Sequence, residues 1–139
     1  MRKIKIPTIT AILGTPIAFL FGDFTPFMMA LLVLSALDIL TGIAKGFYNK
    51  ELRSRKMSQG MIRKSMIFVV IIIANMTDIA LFHSAPVAKT GAVFYYIGME
   101  GLSILENLDA MNVSVPGFIK KYLQSLKDKG ENSENKKGD

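Results

Sequence analysis

The chain has 139 residues, half of them hydrophobic, with a net charge of +6 at neutral pH and a mean hydropathy of +0.35. It contains no cysteine and a single histidine, His83, so a disulfide framework, a thiol nucleophile, a thiolate metal site and a histidine cluster are all excluded, and no cofactor is expected. The basic residues gather at the borders of apolar runs instead of forming an aromatic-interleaved patch, which places membrane-boundary charge well ahead of nucleic-acid binding.

The first apolar run, residues 6–21, follows the basic residues Arg2, Lys3 and Lys5. A charged start and a short apolar run are shared with signal peptides, but no small-x-small cleavage site follows, so the segment is expected to stay attached. Pro7, Gly14 and Pro16 loosen a helix barely long enough to span, which leaves a short span and a re-entrant segment both open. Gly22, Asp23 and Pro26 then mark a turn.

Residues 24–44, FTPFMMALLVLSALDILTGIA, would form a helix about 31 Å long, close to the apolar thickness of a bilayer. Residues 45–64 follow with seven basic residues, Lys45, Lys50, Arg53, Arg55, Lys56, Arg63 and Lys64, against the single acid Glu51. A third run, residues 65–82, is dense in Ile and Val, and Arg63 and Lys64 extend its reach by snorkelling their stems. His83, Ser84, Ala85 and Pro86 make a compact break with little charge.

A fourth run, residues 87–108, is helical in length but less apolar. Ala92, Tyr96, Glu100, Ser103 and Asn107 recur at spacings of three or four, giving one stripe of small and polar residues that should face protein or water. Pro116-Gly117 closes this region. Residues 117–128 carry the pattern of a short basic amphipathic helix, and residues 129–139 have the composition of a disordered polar tail.

These runs predict an all-α polytopic membrane domain over residues 1–128 with three to four spans and short loops. The positive-inside rule orients it. Residues 45–64 are expected on the cytoplasmic side, the turns near residues 22–25 and 83–86 outside, and both termini inside, the C-terminal side marked by Lys120, Lys121, Lys127 and Lys129.

An acid within an apolar span costs roughly 2.5 to 3.5 kcal/mol at the helix centre, so each needs a partner, water or a task. Asp38, Asp78, Glu100 and Glu106 are the four. Asp38 shares a helical side with Ser35, Thr41 and Gly42, a small polar face of the kind that lets membrane helices approach and hydrogen-bond. Asp78 is placed to meet Lys89, and Asn75 lies one turn deeper. Helix association or lining of a water-filled lesion is the expectation for Ser35, Asp38, Thr41, Gly42, Asn75, Asp78, Gly98, Glu100, Ser103 and Glu106; near-interface acids satisfied by Lys and headgroup water are the plainer account of Asp78 and Glu106. Asp38 and Asp78 lie near opposite ends of their spans, which argues against an intramembrane acid–base pair, and no catalytic or metal site is expected.

The segment LSALDILTGIAKG, then GMIRKSMIFVVIIIANMTD, then GMEGLSILENLDAMNVSVPGFIKKYL resembles the bacteriophage holin family that also contains the toxin-secretion holins of clostridial toxin loci, over about residues 31–123. The most specific pieces are Asp38 with Thr41-Gly42, Gly60 to Lys64 with Asp78 downstream, and Glu100 with the segment from Ser103 to Asn107 leading to Val115-Pro116. The resemblance implies a small non-enzymatic protein of the bacterial cytoplasmic membrane that oligomerises and opens lesions, with lipids and its own copies as partners and an endolysin or toxin as cargo. The rival expectation is a small-cation or solute transporter, or a membrane scaffold.

Overall fold

The computed structural model describes residues 6–132, with α1 at Ile6–Phe21, α2 at Pro26–Tyr48, α3 at Ser54–Leu81, α4 at Val87–Ala110 and α5 at Gly117–Glu131. Every regular element among the described residues is a helix, without a strand. The expectations for Arg2, Lys3 and Lys5 and for most of the polar tail lie outside these residues.

Local chemistry sets the boundaries. Thr25 caps α2 by accepting from the Met28 N–H, and Pro26 occupies the first turn, where a missing N–H costs nothing. Gly22 takes φ +70 between α1 and α2, a conformation glycine adopts without penalty. Two boundaries differ from the sequence reading. The basic stretch is mostly helix: α2 continues through Tyr48 and α3 begins at Ser54, so Arg55, Lys56, Arg63 and Lys64 stand on α3 and only residues 49–53 connect the two. With no proline between residues 27 and 85, nothing in this stretch stops a helix except the short turn around Lys50, which has φ 55. At the other end, α5 runs through Glu131, so residues 129–131 are helical and not tail.

α4 is the central helix. It packs against α2, α3 and α5, while α1 touches only α3 in any extended way. The apolar core is built from Met28 and Leu31 of α2, Ile67 and Ile71 of α3, and Val93 and Ile97 of α4, and Phe27 meets Phe94 edge to face at 5.0 Å. The outward faces are equally apolar. Ile12, Leu13 and Ile17 on α1, Met29, Val33, Leu37 and Leu40 on α2, and Ile62, Met66, Val69 and Ile73 on α3 are all exposed. On α2 the buried set (Met28, Leu31, Ser35, Asp38) and the exposed set lie on opposite sides of one helix, so polar groups turn inward and hydrocarbon turns outward.

Candidate functional site

The polar groups of the three longest helices converge at mid-bundle. Asp38 is the thirteenth of the 23 residues of α2, and Glu100 the fourteenth of the 24 of α4. Lys64 of α3 sits between them: its ammonium donates to Asp38 Oδ2 and, at 2.8 Å, to Glu100 Oε2. The other Asp38 oxygen, Oδ1, accepts from Ser103 Oγ at 2.8 Å and from Asn107 Nδ2 at 2.9 Å. Asn107 also reaches Thr41 Oγ1 at 3.0 Å, and Thr41 donates to the Asp38 carbonyl. Asp38 and Glu100 are buried to within a few per cent.

A charge at this depth is tolerable only when paired and saturated with hydrogen bonds. Both acids share one cation, and the two neutral side chains from α4 fill the remaining acceptor capacity of Asp38. The network joins α2, α3 and α4 through directional contacts, the form of association that operates where the surroundings are as apolar as the helices. A cleft of about 240 Å³ borders it toward the α2–α3 turn, lined among others by Asp38, Gly42, Lys45, Arg53, Lys64 and Asn107.

A second polar site closes the opposite end. Asp78, almost wholly buried, accepts the Ala88 N–H at 2.7 Å on Oδ1 and the Lys89 N–H at 2.9 Å on Oδ2. Its carboxylate therefore caps the N-terminus of α4, where Pro86 supplies no side-chain cap and where the helix dipole favours a negative charge. The Lys89 ammonium donates instead to the Asp23 carbonyl at 2.6 Å, so Asp78 and Lys89 meet through the backbone. Asn75 donates to the carbonyls of Phe19 and Leu20, both at 3.0 Å, and so holds the C-terminus of α1.

The remaining expected residues fall around these two sites. Ser35 is buried on α2, and its Oγ has no partner among the described residues. A Cβ at Gly42 would meet only Asn107 Nδ2, at 3.8 Å. Gly98 lies on the other side of α4, against α5: a Cβ there would come within 2.5 Å of the Leu123 carbonyl and 2.6 Å of Lys127 N. Glu106 is exposed, on a groove between α4 and α5 shared with Lys120 and Lys127. Of the seven basic residues, Lys64 alone enters the network; Lys50, Arg55 and Arg63 are exposed, while Lys45, Arg53 and Lys56 line the cleft.

The sequence reading treats Lys64 as a boundary residue and names no cation as the partner of Asp38. The signal available is that Lys64 adjoins the apolar run that follows, so its ammonium must meet an acid or reach water; which acid it meets is set by packing between helices. Among the described residues no group of three or more acids and histidines is placed to hold a metal ion.

The pattern of the bacteriophage holin family matches residues 15–128. The chain belongs to the bacteriophage holin family. The probable holin of Bacillus phage phi105 is 41% identical over 102 residues, covering 73% of this chain and 74% of the phage protein. The uncharacterised protein YqxH of Bacillus subtilis is 41% identical over 117 residues, 84% of this chain and 82% of its own length. An uncharacterised protein of Clostridium perfringens is 39% identical over 117 residues, 84% and 87% of the two chains. No solved structure matches. The match takes in the whole of α2, α3 and α4 and most of α5, and hence every residue of the two polar sites. As a holin-family protein the chain is a membrane protein, and α2 and α3 are each long and apolar enough to cross a bilayer.

Proposed function

We propose that this holin-family chain acts as a holin: copies accumulate in the bacterial cytoplasmic membrane, associate and open lesions through which an endolysin or a toxin passes, without any chemistry of their own. The observation that carries the reading is the inverted distribution of polarity in a chain of this family. Ionised groups are paired at mid-bundle, and large apolar side chains cover the outside of α1, α2 and α3. Water would penalise that exterior, whereas a bilayer solvates it.

In this reading α1 to α4 all lie within the membrane, with the N-terminus, the α2–α3 turn and the α4–α5 connection on the cytoplasmic side, as the basic residues beside them favour. Association between copies is then a necessity, because a few thin helices from one chain cannot enclose a passage for a folded enzyme. Complementation of a lytic phage lacking its own holin tests the proposal. The expected result is abrupt loss of membrane potential followed by lysis at a set time; steady growth with the protein present in the membrane would overturn it.

The cleft beside Asp38 favours a second reading, passage of a small cation or solute through a single chain. It predicts cation uptake into vesicles at protein densities too low for association, and the holin reading predicts none.

A further inference from the structure

We propose that the outward face of α5 lines the water-filled passage of the lesion, an assignment that rests on the holin reading and places α5 within the membrane instead of on its cytoplasmic surface.

The docking of α5 is the first observation. α5 runs antiparallel to α4 and packs against it more extensively than any other pair of helices in the fold. The contact is made backbone to backbone. A Cβ on Gly130 would come within 2.3 Å of Tyr95 N and 2.4 Å of the Gly91 carbonyl, and one on Gly98 would collide with Leu123 and Lys127. Gly91, Tyr95 and Gly98 on α4 thus meet Gly130, Lys127 and Leu123 on α5, each set at steps of four and three along its helix. Gly91 and Gly98 on one helix and Gly130 on the other permit the close backbone approach that favours association inside a bilayer. Lys127 adds a contact with the Tyr95 ring, 5.7 Å from its centroid.

Depth is the second observation. Gly91 lies four residues, about 6 Å, from the outer end of a helix about 36 Å long, and Gly98 lies near its midpoint. With α4 across a hydrocarbon layer of about 30 Å, Leu123 sits at the membrane centre and Gly130 in its outer half.

The outward face is the third. Lys120, Lys121, Gln124, Asp128, Lys129 and Glu131 are exposed on α5, with the rings of Phe118 and Tyr122 exposed in its first half and Gln124 donating to Asp128 at 3.0 Å. Each such charge facing hydrocarbon would cost roughly 2.5 to 3.5 kcal/mol near the centre. The opposite exterior is uniformly apolar at the same depth, through Val33 and Leu37 of α2 and Val69 and Ile73 of α3. The bundle therefore has a side for lipid and a side for water, and assembled copies satisfy both by turning α5 toward a common lumen.

The chain has no cysteine, so single thiols report cleanly in the full-length protein reconstituted in planar lipid bilayers. Gln124→Cys and Asp128→Cys should lose conductance stepwise when a bulky, charged, membrane-impermeant methanethiosulfonate is added to the open lesion, while Val33→Cys and Ile73→Cys should not respond. Modification of the α5 thiols without change in conductance, or protection of those thiols while the lesion conducts, overturns the assignment. A Gly101→Cys/Leu123→Cys pair adds an independent arm by tying α5 to α4, since a Cβ on Gly101 abuts the Leu123 side chain. Equal conductance before and after oxidation is expected; loss on oxidation with recovery on reduction would show that α5 leaves α4 in the lesion, and would also overturn it. If the cysteine-free parent conducts and restores phage lysis while the α5 thiols are silent, only the lumen assignment fails. If the parent does neither, the holin reading fails and the assignment falls with it.

Discussion

Lys64 on α3 and Asp38 on α2, twenty-six positions apart, form an ion pair in which the acid is buried and the ammonium reaches on to Glu100 at 2.8 Å. Removing the cation alone leaves two buried carboxylates facing each other. Lys64→Met is expected to destabilise the bundle by about 3–5 kcal/mol, and the triple variant Asp38→Asn/Lys64→Met/Glu100→Gln to recover most of that loss, because uncharged groups no longer demand a counterion. Thermal unfolding in a mild detergent checks both. A triple variant no more stable than the single one would show that hydrogen-bond geometry, not charge, holds this layer.

Asp78 receives two N–H groups from the first turn of α4, and no other side chain caps that helix. Asp78→Leu is expected to cost about 1–3 kcal/mol, since two donors lose their buried acceptor. Asp78→Asn should cost less, keeping one acceptor oxygen and losing the charge that suits the helix dipole. Hydrogen exchange at Ala88 and Lys89 should accelerate in both variants; unchanged protection would dissociate the carboxylate from the cap.

Gly22 combines φ +70 with a site where a Cβ would stand 2.8 Å from Asn75 Oδ1 and 3.2 Å from Lys89 Nζ. Gly22→Ala therefore strains the turn and displaces the two side chains that hold the end of α1. The expected loss exceeds about 1 kcal/mol, with freer proteolysis of α1 and little effect on α2 to α4. A variant as resistant to protease as its parent would show that α1 is held elsewhere.

Ser54 and Ser84 are exposed at opposite ends of α3. The basic residues near Ser54 predict that Ser54→Cys is cytoplasmic and Ser84→Cys external. In intact cells before lysis, an impermeant thiol reagent should modify the second and spare the first. The reverse pattern would invert the orientation.

The helices were legible in the sequence because their apolar runs are separated by Gly22, by the break at residues 83–86 and by Pro116-Gly117. The recurrence of Glu100, Ser103 and Asn107 identified the face of α4 that meets Asp38. The identity of the cation was not legible. Spacing along α2 favours Lys45, yet only the antiparallel return of α3 brings Lys64 to the depth of Asp38, and that register is set by packing between distant helices. The same limit applies to Gly42 and Gly98. Smallness suggests close approach at both, but Gly42 borders the cleft with Asn107 at ordinary contact distance, and it is Gly98 that is closely approached, by α5 of the same chain. The amphipathic pattern of α5 was plain from its residues, whereas its folding back along α4 depends on the glycines of both helices being opposed.

The enclosure of α4 on three sides has a consequence for a shortened chain. None of the exposed large apolar side chains among the described residues belongs to α4, and one of its flanks is covered by a helix that follows it in the chain. A chain cut before Gly117 keeps α2 and α3 against α4 but bares the backbone around Gly91, Gly98 and Gly101, which α5 otherwise covers. Such a truncation is a different object from the full chain, with a groove open to any helix nearby.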